Sequence, residues 1–233
     1  PFFLAGHLAA KLTGAEQTGY SMPYQNAISI GVLIYLFFGL FVLRKLLLYY
    51  YSDLVTALVL LITLMGTNLL WYSSVEAFMP HAISFSFLCI SLYQFHVWLI
   101  GGKRFDLMMF AFVFAIIVLI RPLAITVLVY FLLYAWLRKG TWKNFLQFLK
   151  NDLKGFVMAS LLFLILVSLQ FCYWKYATGK WIYDVYIDEH FIFSSPQFFP
   201  FLFSFRKVLF VYTPLMLIAL LGVWWMVQRI AGS

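Results

Sequence analysis

Long apolar runs broken by short polar corners constrain this chain more than any motif in it. Residues 26–43, 54–72, 82–100, 156–173 and 208–227 contain no Asp, Glu, Lys or Arg. A helix needs about 20 apolar residues to cross a hydrocarbon core of about 30 Å. In that core every backbone polar group must be satisfied within the segment, which leaves helices or a closed barrel. The composition agrees: 65% of residues are hydrophobic and 10% charged, where a soluble domain carries about 25% charged residues. The chain therefore reads as an all-α, polytopic transmembrane bundle forming a single domain over residues 1–233.

The run at 106–137 needs a decision. As one helix it would extend about 48 Å, too long for the core. Arg121-Pro122 lies near its middle, and proline breaks a helix or starts one. The preferred reading is a hairpin of two short or tilted helices turning there. That makes about seven spans, two of them short. Residues 1–12 are too short to cross and read as an interfacial helix, followed by an extramembrane loop at 13–25. Residues 141–154 read as an amphipathic interfacial helix, with Trp142, Phe145, Leu146, Leu149 and Leu153 on one face. Residues 174–207 read as a long outer loop.

Charge then orients the bundle. With the hairpin, ten of the sixteen basic residues fall on the side of Arg44, Lys103, Arg104 and Arg138, and six on the other. The richer side is cytoplasmic by the positive-inside rule. A single span at 106–137 would send the Arg138 cluster to the opposite side from Lys103 and Arg104. The net charge of +8 is spread over helix ends rather than one face, which argues against nucleic acid as a partner. Cys89 and Cys172 sit in separate apolar runs and do not read as a pair. The chain opens at Pro1 and closes soon after an apolar run, and it reads as an internal fragment of a longer protein.

On this topology the outer face gathers the unusual residues: Tyr24 and Gln25, then Asn68 to His81, Arg121, and the loop after Trp174. Ionisable groups at membrane depth are costly and mark working sites. Glu76 and His81 straddle a turn. They read either as an acid/base or substrate-orienting pair, or as a hydrated loop with His81 capping the next helix. Arg121 has the paired donors that suit phosphate. Its plainer reading is snorkelling at a helix end, but an outward arginine opposes the charge bias and favours the phosphate role. Arg206 and Lys207 form a second phosphate pair or a topological stop. Tyr183 and Asp184 belong to a segment, 181–190, that interleaves rings with acids, as a sugar-binding surface does; an amphipathic helix on the interface has the same pattern. His7 and His96 lie in apolar runs and read as structural. No Walker loop, HExxH, GxSxG, CxxC or dinucleotide fingerprint is present, and neither a metal site nor a cofactor is read.

Several short motifs carry a family likeness. They are Pro1-Phe2-Phe3 leading to Thr18-Gly19-Tyr20-Ser21 and Tyr24-Gln25; Gly66-Thr67-Asn68 with Met79-Pro80-His81; Ile120-Arg121-Pro122; and Phe203-Ser204-Phe205-Arg206-Lys207 with Tyr212-Thr213-Pro214. With these, most of the chain resembles the GT-C class of polytopic glycosyltransferases, nearest to the bacterial relatives of protein O-mannosyltransferases and aminoarabinose transferases. The resemblance implies a polyprenyl-phosphate-linked sugar as donor and a lipid, glycan or protein acceptor. It implies an inverting transfer at the outer face of a bacterial inner membrane. It places the catalytic carboxylate in an outer loop ahead of Pro1. It gives Arg121, Arg206 and Lys207 to the departing phosphate, and Glu76 and His81 to orienting donor or acceptor. The rival class is a transporter or lipid flippase without bond chemistry, which would line a midplane path with ionisable residues.

Overall fold

The computed structural model describes residues 1–183, Leu202 and residues 215–231. Every regular element among them is helical. In order these are α1 (Phe2–Thr13), α2 (Met22–Leu47), α3 (Asp53–Met65), α4 (Leu69–Ser74), α5 (His81–Gly101) and α6 (Arg104–Ile120). A 3₁₀ turn (Pro122–Val127) leads into α7 (Leu128–Lys139), followed by α8 (Trp142–Asn151), α9 (Leu153–Thr178) and α10 (Leu215–Ala231).

Four described stretches are long and apolar enough to cross a bilayer: Met22–Leu47, His81–Gly101, Pro122–Lys139 and Leu153–Thr178. The other apolar helices are shorter. At 13 residues α3 reaches about 20 Å, and at 17 residues α6 reaches about 26 Å. Large apolar side chains face outward along the long helices, among them Phe37, Phe38, Leu164 and Ile165. In water that surface would be untenable; against lipid tails it costs nothing.

The centre of the bundle is α5, which packs on α2 and α6 on either side. Ring contacts from Phe95 on α5 to Phe110 on α6 and Phe131 on α7 make the aromatic heart of the core, which Trp98, Phe114 and Ala159 extend towards α9. The α2–α5 contact is closer. A Cβ at Gly39 would lie 2.7 Å from the Ser86 Cα, so glycine is what lets the two backbones approach. Ser86 Oγ then donates to the Tyr35 carbonyl of α2 at 2.6 Å and to its own Ala82 carbonyl at 3.0 Å. Small residues and cross-helix hydroxyl bonds supply helix association where lipid removes the hydrophobic drive.

The turn at Arg121-Pro122 is where the sequence places it. Arg121 is extended (φ −142°, ψ 101°), the conformation a following proline imposes. Phe131 packs back on Phe110 and Phe114, and Lys139 Nζ reaches the Leu99 carbonyl near the end of α5. The chain thus returns to the side it left. Three expected elements differ. The span at 54–72 is not continuous: α3 ends at Met65 and α4 starts at Leu69. Thr67 Oγ1 donates to the Thr63 carbonyl at 2.7 Å and accepts from Leu69 N at 3.2 Å, so a hydroxyl replaces the backbone ladder at the break. Leu215 of α10 fills the space beside Gly66. Next, α1 does not lie flat at an interface. It runs antiparallel along α2, with Phe2 against Gly31 and Gly6 against Tyr24, where a Cβ would meet backbone at 2.8 Å. Lastly, the amphipathic helix stops at Asn151. Asp152 accepts from Gly155 N at 3.1 Å and caps α9, so Leu153 and Lys154 belong to that helix. The C-terminal end of α9 runs on to Thr178, past the expected start of the loop at Trp174. Both cysteines are free.

Candidate functional site

Helix polarity sorts the polar residues by end. The ends carrying Arg44, Lys45, Lys103, Arg104, Arg138, Lys139, Lys143, Lys150 and Lys154 lie together. At the opposite end α4, the start of α5 and the α6 corner meet, and the site is built there.

Three elements each contribute one side chain. The first is the α6 corner. Arg121 N donates to the Ile117 carbonyl at 2.8 Å, closing α6, and the Arg121 carbonyl accepts from Ala124 N at 2.8 Å, opening the 3₁₀ turn. The backbone is thus held on both sides while the side chain stays exposed. The second is the start of α5. His81 is its first residue, after Pro80. The third is α4, whose Tyr72 ring stacks on the His81 imidazole at 4.0 Å between centroids and 29° between planes. Arg121 Nη1 lies 3.0 Å from His81 Nδ1. A guanidinium can only donate. Nδ1 is therefore the acceptor, the ring proton sits on Nε2, and His81 is neutral in this arrangement.

That pairing decides the electrostatics. Arg44 and Arg104, at the other end, are held by carboxylates: Arg44 Nη2 to Asp53 Oδ1 at 2.7 Å, and Arg104 Nε to Asp152 at 2.7 and 2.9 Å. Arg121 has no ion pair among the described residues. A neutral ring fixes it in place, so among the described residues no carboxylate compensates its charge and most of its five N–H donors have no partner. Glu76 is exposed in the corner between α4 and α5 and lies within electrostatic reach of His81. Its amide donates to the Trp71 carbonyl at 3.1 Å and its carbonyl accepts from Met79 N at 2.9 Å, which turns the chain into α5.

The other residues singled out in the sequence are distributed differently. Asn68 is exposed at the start of α4, where its carbonyl accepts from Tyr72 N at 3.0 Å. Gln25 Nε2 donates to the Tyr20 carbonyl at 2.8 Å and holds the loop before α2. Tyr24 is buried between α1 and α2, with its hydroxyl on His7 Nδ1; its visible work is packing. Tyr183 is exposed at the end of the described stretch, and Asp184, Arg206 and Lys207 lie outside the described residues. The structure thus joins His81 to Arg121, 40 residues away, rather than to Glu76. Tyr72 was not foreseen as the platform; its only signal was an aromatic in the corner sequence.

A second polar cluster surrounds His96, which the sequence marks only as a structural histidine. His96 Nδ1 lies between the hydroxyls of Tyr50 (2.9 Å) and Tyr134, which also bond each other at 2.6 Å. It ties α5 and α7 to the segment after α2, and His96 is buried as a packing residue would be.

Comparison with protein-family models, with curated proteins and with solved structures finds no match to this chain.

Proposed function

We propose that the chain is the membrane portion of a glycosyltransferase that moves a sugar from a polyprenyl-phosphate donor to an acceptor at the outer face of a bacterial inner membrane. On this reading α2, α3, α5, α6, α7, α9 and α10 are its seven spans. The observation that supports it is the Arg121–His81–Tyr72 corner, where an exposed guanidinium with no carboxylate partner among the described residues is held by a neutral imidazole. A phosphate monoester fits such a group through paired hydrogen bonds.

In the reaction the acceptor hydroxyl or amine attacks the anomeric carbon from the face opposite the phosphate. The bond from that carbon to the phosphate oxygen breaks, and its electron pair leaves with polyprenyl phosphate. The acceptor proton passes to a carboxylate base. Charge grows on the leaving phosphate, and Arg121 is already in position to receive it, without reorganisation. Arg206 and Lys207 would add to that charge, and Glu76 would orient hydroxyls of the donor or acceptor.

The test is transfer from a polyprenyl-phosphate sugar by the intact protein carrying Arg121→Ala. A loss in kcat/KM of about 10²–10³-fold is expected, the range for removing a preorganised charge donor. Normal turnover with unchanged donor affinity would remove Arg121 from the mechanism.

A further inference from the structure

The short helix α8, at the opposite end of the bundle from the proposed transfer site, divides into four sectors. At about 100° per residue, Phe145, Leu149 and Phe148 point one way. Phe145 is buried, and Phe148 and Leu149 pack on the core, with Phe148 on Trp98. Trp142 and Leu146 come next around the helix, and both are exposed. Lys143 and Lys150 follow, also exposed and one above the other two turns apart. Asn144, Gln147 and Asn151 occupy the remaining arc.

Protein, hydrocarbon, cation and water are thus met in that order on one helix. Its orientation is fixed at both ends. Thr141 Oγ1 accepts from Asn144 N at 3.2 Å, and Asn144 Nδ2 donates to the Lys139 carbonyl at 3.1 Å. At the far end Asp152 is clamped by Arg104. The helix cannot roll to hide Trp142 and Leu146, so something apolar must cover them. The lysines sit at the rim of that strip, where lipid phosphates would lie. Lys154, at the start of α9, adds a third exposed ammonium nearby in the chain.

We propose that α8, with Lys154, is a seat for anionic phospholipid, with Trp142 and Leu146 among the acyl chains and Lys143 and Lys150 on the headgroup phosphate. Charge complementarity selects an anionic lipid over a zwitterionic one, and the apolar strip selects a lipid over a soluble acidic partner.

The experiment is native mass spectrometry of the intact protein with phosphatidylglycerol and phosphatidylcholine as probes. The unaltered protein should retain phosphatidylglycerol preferentially. Lys143→Gln/Lys150→Gln should reduce that preference several-fold, and Lys175→Gln/Lys180→Gln, at the other end, should leave it unchanged. A parallel readout uses Leu146→Cys in a Cys172→Ser background, carrying a fluorophore in phosphatidylglycerol vesicles. Nitroxide-labelled lipid should quench it, and iodide should not. The proposal is overturned if the unaltered protein shows no preference, if the α8 double variant keeps it, if the distal variant loses it equally, or if iodide quenches position 146 freely.

Discussion

His81 has two jobs that can be separated by substitution. Its ring covers Tyr72 and its Nδ1 holds Arg121. His81→Phe keeps an aromatic on Tyr72 and removes the acceptor. It should leave thermal stability within about 1 kcal/mol while weakening donor use, because Arg121 loses its anchor. His81→Ala removes both and should cost about 1 kcal/mol more in stability, the value of an aromatic pair beyond its area. Unfolding in detergent and transfer kinetics, measured on both variants, check the two effects. If Phe and Ala prove equally active and equally stable, the corner is not built as described. The sequence showed that Glu76, His81 and Arg121 share one face, since that follows from span polarity. It did not show which of them touch. His81 and Arg121 lie 40 positions apart, and only the α5–α6 hairpin, closed at Gly102 and Lys103, brings both helix ends to one level.

At the scale of elements, helix existence was legible and helix continuity was not. The proline rule located the α6–α7 corner because Pro122 acts locally. The α3–α4 break escaped because nothing in an apolar run announces a threonine that will bond its own helix rather than lipid-facing neighbours. Thr67→Val removes both hydroxyl bonds at that break and should destabilise the protein by about 1–2 kcal/mol. Close approach of helices was equally hidden, since a glycine in a span has many uses. Gly39→Ala places a methyl group against Ser86. It should cost about 1–3 kcal/mol as α2 and α5 are forced apart, whereas Gly222→Ala, where a Cβ would meet nothing within 4 Å among the described residues, should be close to neutral. A thermal melt of the two variants side by side separates a packing glycine from an incidental one.

For the molecule as a whole, sidedness organises everything else. Carboxylate-paired arginines, the amphipathic helix and most lysines gather at one end; Arg121, with no ion pair among the described residues, stands at the other. The paired arginines contribute little to stability, because Arg44 and Asp53 are largely exposed, and their own guanidinium charge is already matched by a carboxylate. This polarity was readable from charge counts alone, since basic residues stop helices and the hairpin decides which side they reach. The site's chemistry was readable only as a set of residue types, because side-chain pairing depends on helix rotation, which lipid-facing and core-facing Phe and Leu do not distinguish. The most direct test places a cysteine beside the corner without touching its working groups: Val75→Cys, exposed next to Glu76, in a Cys172→Ser background. A membrane-impermeant maleimide should label it from outside intact cells, and polyprenyl phosphate should slow that labelling. Labelling only from the cytoplasmic side, or at a rate indifferent to the lipid, would contradict a phosphate-binding corner on the outer face.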